Sequence, residues 1–366
     1  MLLAFKEIQR EKLRYSLIIA LIALISYMML VLSALALGLA NQNTSAIYGW
    51  HAHSIALNEQ ADGVMRASML TQDQVNSIKE HTTGQTAEIG FTSTRLTSKS
   101  DTKHSVNFLG STAQSFMFTN TTLSEGRMPQ ATHELVVDKA LAHSAQLAVG
   151  QQVTLGSDNT PYKIVGIAQD AKLSVVSVVY GLLSDWHNIS PVSPTIAASA
   201  VISTSGFTSK NGTITTSGQT TANSAVSTYT IAQFIQHLPG YSAQNATFIL
   251  IIAVLAIVTL VIIAVFLYII VLQKLPNIAV LKAQGIPTRY LIRSTLVQGT
   301  SIVTVGLILG GIATLAIAWF IPESVPMYFS LPLQGVTALG LILMGLLGSL
   351  LPALQIRKAD PIALIQ

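Results

Sequence analysis

Two long runs without a charged residue, 246–272 and 294–320, stand on either side of a short cationic segment. Each run exceeds the ~20 residues that a helix needs to cross ~30 Å of hydrocarbon. The segment between them, 273–293, reads QKLPNIAVLKAQGIPTRYLIR and carries Lys274, Lys282, Arg289 and Arg293 with no acid. A short, purely cationic link between two spans marks the cytoplasmic side. Within it Ile278, Leu281 and Ile286 can share one helical face, with Pro276 and Pro287 bracketing the helix. The expectation is a short helix lying at the inner membrane surface, open to a cytosolic partner.

Half of the 366 residues are hydrophobic and only 10% are charged, against roughly a quarter in a soluble domain. The chain therefore reads as a membrane protein with a polar insert. Cysteine is absent, which excludes disulfides, thiolate metal sites and cysteine nucleophiles. The net charge of +4 is unevenly spread. Segments 1–14, 273–293 and 356–366 hold half of the twenty Lys and Arg against only Glu7, Glu11 and Asp360. The positive excess thus follows membrane topology, and no nucleic-acid partner is implied.

Residues 1–14 read as a cytosolic amphipathic helix, with Leu2, Phe5 and Ile8 facing the interface. Residues 15–40 form a first transmembrane helix, too long for the ~7–15-residue core of a cleaved signal. Residues 41–245 are a polar extracytoplasmic domain large enough for its own core. In it Thr71-Gln72-Asp73-Gln74 reads as a capping box opening a helix toward His81. Stretches 87–97 and 105–111 alternate like half-buried strands. Residues 125–167 read as strand, short helix and two further strands, and 172–183 as another β-rich run. The Ser/Thr-rich stretch 203–230 reads as a flexible loop at the tip of the insert. Three more transmembrane helices follow at 246–272, 294–320 and 333–355, with an outer loop at 321–332 and a cytosolic tail at 356–366. The fold class is an α-helical membrane protein of four spans with an α+β domain between the first and second. Gly306-x-x-x-Gly310 and Gly345-x-x-x-Ser349 are candidate packing seams.

No G-x-x-x-x-G-K-[ST] loop and no G-x-S-x-G elbow occur. His133-Glu134 begins an H-E-x-x-H pattern, but Val137 stands where the second zinc ligand belongs. The chain is expected to be non-catalytic, with no intrinsic cofactor.

The set AVLKAQGIP, EGRMP…ELVVDKALA…VGQQVTL…YKIVGIA and LP…IRKADPIALI resembles permeases of the MacB/FtsX type of ABC transporter. The stretches QFIQHLPGYSAQNATF and VLQKLPNIAVLKAQGIPTRYLIRSTLVQG resemble, more narrowly, haem-exporter permeases of the HrtB type. The resemblance implies a homodimer in a bacterial plasma membrane with both termini cytosolic, driven by two copies of a separate ATPase that binds the ATP. Its coupling helix would be 277–290, with contacts from Asn277, Ile278, Leu281, Lys282, Gly285, Ile286 and Pro287. It implies haem efflux as the function. The alternatives are efflux of antimicrobial peptides or lipophilic compounds, and mechanotransmission to a cell-wall hydrolase.

Haem is flat, apolar on its faces and anionic at its propionates, and Met, His and Tyr all ligate its iron. In mid-span, Met28 and Met29 beside Tyr27 are the candidate contacts; the bland alternative is ordinary packed or lipid-facing methionine. Glu323, between Pro322 and Pro326, could ligate iron or line an exit, or be a solvated loop carboxylate. His51-x-His53 is a weaker candidate for metal, as an i, i+2 strand pair.

Overall fold

The computed structural model describes residues 12–98, 101–156, 160–190, 192–208, 212–215, 225–321 and 325–358. The expected amphipathic segment falls largely outside these, since only its last three residues are described; Glu323 and most of the tail also lie outside. The chain divides into two compact units, Leu39–Gln244 and a discontinuous one made of Met1–Gly38 with Asn245–Gln366. Helix α1 (Lys12–Gly49) opens the described chain.

The unit Leu39–Gln244 runs β1 (Ser54–Asn58), β2 (Leu70–Thr71), α2 (Gln72–Glu80), β3 (Thr86–Thr97), β4 (Lys103–Ser111), α3 (Phe116–Asn120) and β5 (Leu123–Gly126). It continues through β6 (Glu134–Asp138), α4 (Lys139–Ser144), β7 (Gln152–Leu155), β8 (Pro161–Ala168), β9 (Lys172–Leu173), β10 (Val176–Leu182) and α5 (Leu183–Ile189). Strands β11 (Ile196–Ala198), β12 (Ala200–Ser203), β13 (Thr213–Thr215) and β14 (Ala225–Thr230) precede α6 (Ile231–His237). The main sheet has the order β13-β14-β1-β12-β3-β4-β10-β6-β8-β5, with β7 joining β3 and β8, and β9 joining β10. Pairs β4/β10 and β6/β8 are parallel.

Period-2 alternation explains why this sheet is covered on both faces. Leu109, Val136 and Tyr180 enter one core with Trp50 and Phe234. Their neighbours Phe108, Leu135, Val137 and Val179 enter a second core around Trp186. Gly90 and Gly110 pair across β3 and β4; a β-carbon at Gly90 would collide with the Trp186 indole, and one at Gly110 would crowd the Leu182 carbonyl oxygen and the Trp186 β-carbon. Thr71 caps α2 as the sequence requires: its hydroxyl accepts from the Gln74 amide, while the Gln74 side chain accepts from the Thr71 amide.

The other unit contains α7 (Tyr241–Ala283), α8 (Thr288–Phe320) and α9 (Leu331–Lys358) together with the inner part of α1. All four long helices have the length and hydropathy of membrane spans. Small residues set their spacing, as lipid-soluble helices need close contact to associate. A β-carbon at Gly306 would stand 2.6 Å from Cγ2 of Ile22, and one at Gly310 2.7 Å from the carbonyl oxygen of Ala23. The first seam therefore joins α8 to α1. Gly345 meets Val303 of α8, and Gly348 meets Ile263 of α7.

Three expectations need correction. Pro276 does not start a separate helix: it lies inside α7, which runs unbroken to Ala283. The bond lost at a helical proline is offset here by packing on both sides of it, since Val271 and Ile278 are buried in one cluster with Leu291 and Ile356. Stretch 203–230 is not all loop, because β14 pairs with β1 over five residues and β13 pairs with β14. Its Val, Thr and Tyr alternate well enough to extend the sheet. His51 and His53 are no strand pair: His51 sits in a left-handed turn (φ 51°) after α1, and His53 precedes β1.

Candidate coupling site at the α7–α8 turn

Helix α7 ends because of the residues LKAQGIP. Gly285 takes φ +85°, its amide donates to the Lys282 carbonyl at 3.0 Å, and the Ile286 amide donates to the Leu281 carbonyl at 3.1 Å. This is the Schellman stop, in which a left-handed glycine turns the last amides back onto otherwise unpaired carbonyls. Leu281 and Ile286, the positions that touch across such a stop, both pack against the buried group of Val271, Ile278, Leu291 and Ile356. Pro287 then caps the start of α8, where a missing N–H costs nothing.

The geometry sorts the expected contact residues into two sets. Ile278 is buried and Leu281 and Ile286 are partly buried, so these three face the chain's own core. Lys282 also turns inward, its Nζ donating to the Ile356 carbonyl at 2.6 Å. Asn277, Gly285 and Pro287 are exposed. Pro276, Val280 and Gln284 continue one helical stripe with Asn277, and Arg289, Tyr290 and Arg293 lie exposed beyond the turn. The surface open to a partner thus mixes polar and cationic groups with the exposed Val280 and Tyr290, around a tip that a glycine holds.

Beside it lies a contact that spacing alone did not reveal. Tyr15, only 1% exposed, receives Lys274 Nζ at 3.0 Å and Gln298 Nε2 at 2.5 Å on its hydroxyl. One phenol joins α1, α7 and α8 next to the basic link. The available signal was a tyrosine directly after Arg14, at the edge of the uncharged run.

The substrate candidates do not converge within one chain. Met29 is 4% exposed and packed, whereas Met28 is 44% exposed and continues an outward stripe of Leu13, Leu17 and Leu24. Consecutive helix positions differ by about 100°, so the two thioethers cannot face one ligand. Tyr27 is partly buried, its backbone nitrogen close to Gly310. Among the described residues no three His, Asp or Glu gather into a metal site. Glu134 is occupied otherwise: its carboxylate takes both arms of Arg127 and the amides of Gln130 and Ala131. The Arg127 side-chain bonds, helped by those amides, lower its pKa to about 2.

The sequence matches the MacB-like periplasmic core domain over residues 16–204 and the FtsX-like permease C-terminal domain over 249–361. The chain is a MacB/FtsX-type ABC transporter permease. Such permeases are multi-pass proteins of the bacterial plasma membrane that work with a cytosolic ATPase. Proteins of Staphylococcus haemolyticus and Staphylococcus epidermidis, provisionally named hemin transport system permease protein HrtB, are 26% and 25% identical to this MacB/FtsX-type chain. Each alignment covers 99% of this chain and 98% of the relative. Among solved structures, the periplasmic region of MacB from Actinobacillus actinomycetemcomitans aligns with a TM-score of 0.35 at 13% identity, over 52% of this chain and 94% of that one. The extracellular domain of YknZ from Gram-positive bacteria aligns with a TM-score of 0.32 at 10% identity, over 44% and 84%.

Proposed function

We propose that this permease is the non-catalytic membrane subunit of an ATP-driven exporter that expels haem from the membrane. Two copies pair, and a separate ATPase drives them through the exposed face of the α7–α8 turn. The observation that carries this reading is the likeness, along nearly the whole chain, to relatives named for hemin transport. The chemistry is compatible. Haem partitions into hydrocarbon, and the outward Met28 on α1 offers a soft thioether to a ligand held between two first spans. Met29, being packed, contributes through shape.

A strain without this permease should lose haem tolerance, and restoring the gene should return it. Purified protein titrated with haem should give an absorbance band that weakens in Met28→Ala and stays in Met29→Leu. Unchanged haem tolerance with raised sensitivity to antimicrobial peptides would replace haem by a peptide substrate.

A further inference from the structure

Strands β9 and β10 form a hairpin with Leu173 paired to Val176, so the turn consists of Ser174 and Val175 alone. Both have positive φ, 51° and 67°. Two-residue hairpin turns of this kind favour Asn-Gly, because a β-carbon is strained there, and a β-branched residue most of all. Val175 gains no compensating burial, being 48% exposed.

What holds it is the outer end of α1. The Ser174 amide donates to the Asn43 carbonyl and the Val175 amide to the Gln42 carbonyl, each at 3.0 Å. The Ser45 hydroxyl accepts from the Lys172 amide at 3.0 Å and bonds the Lys172 carbonyl at 3.2 Å. Behind the turn, Asn107 Nδ2 donates to the Leu173 carbonyl at 2.9 Å, and Asp138 takes the Ala171 amide and the Ser177 hydroxyl. The hairpin base is therefore fixed in the sheet while its tip is gripped by a helix. Asn43 in turn reaches Gln244 at the start of α7, Nδ2 to Oε1 at 3.5 Å.

We propose that the Ser174–Val175 turn is a strained latch on the outer turns of α1, one that opens during the transport cycle. Strain of this type persists only where the surroundings enforce it, and it raises the energy of the closed state relative to the open one. When α1 slides or rotates, the turn loses the Gln42 and Asn43 carbonyls and relaxes, which releases the helix from the sheet. A glycine at 175 would bond the same carbonyls without strain and would keep the latch shut.

Hydrogen exchange on the full chain in lipid nanodiscs, alone and with its cytosolic ATPase and a non-hydrolysable nucleotide, tests this without reference to haem. In the wild type, protection at 174 and 175 should fall when nucleotide is added, while the central strands β3 and β4 stay protected. Val175→Gly should raise protection at both amides by roughly five- to thirtyfold and abolish the nucleotide effect. Val175→Asn, which also tolerates positive φ, should act in the same direction, and Ser45→Ala in the opposite one. Equal protection in wild type and Val175→Gly, or no response to nucleotide, would overturn the latch. Failure of haem export alone would leave it standing.

Discussion

Lys282 ends on the last span: its Nζ lies 2.6 Å from the carbonyl oxygen of Ile356 in α9. A hydrogen bond from a charged donor is stronger than one between two neutral groups. The most conspicuous lysine of the basic link therefore joins two parts of the permease itself.

Removing that cation should loosen the contact between α7 and α9. Lys282→Met is expected to lower stability by about 1–2 kcal/mol, measured as thermal unfolding in detergent. Lys282→Glu should lower it further, and Lys282→Arg should retain most of it. If Lys282→Glu left unfolding unchanged while abolishing ATPase stimulation, the side chain would belong to the partner's surface.

Gly285 is required for its left-handed backbone, because a β-carbon there has nothing within 4 Å to strike. Gly285→Asn should be mild, whereas Gly285→Val should cost about 1–2 kcal/mol and distort the tip proposed to meet the ATPase. Comparing coupled ATP hydrolysis for the two variants separates backbone strain from bulk. Gly285→Trp should uncouple most completely.

Close contact of α8 with α1 runs over Gly306 and Gly310. Gly310→Val should force the helices apart and destabilise by about 1–3 kcal/mol. Gly311, with open space around it, should accept the same change with little effect. Equal unfolding temperatures for the two variants would contradict the seam.

The Arg127–Glu134 pair gives the outer domain an acid-sensitive step. The folded carboxylate has a pKa of about 2 against an ordinary 4.5, so the ionised form is favoured in the fold. Its contribution is fully present above the unfolded value and is lost as pH falls from about 4.5 to 2. Glu134→Gln should be less stable at neutral pH and lose less on acidification. Parallel unfolding curves across that window would refute the assignment.

Much of the architecture was legible because hydrocarbon imposes a length and a polarity that no other environment demands. The four runs, the basic link and the capping box at Thr71 each rest on local rules. Two features failed to show for a common reason. Pro276 reads as a boundary wherever only propensity is weighed, yet Val271 and Ile278 carry α7 past it by packing on residues far away in sequence. Stretch 203–230 reads as loop by composition, yet β14 finds the edge of β1, more than 160 residues earlier.

The sequence by itself determined the spans, their orientation and the glycine stop after α7, because hydrophobic length, charge asymmetry and left-handed backbone are properties of short segments. Only the tertiary structure decided which side chains of the link face inward, that Tyr15 joins three spans, and that Met28 and Met29 part company. Those outcomes depend on which distant residues fill the space beside each helix, and spacing along one helix carries no record of its neighbours.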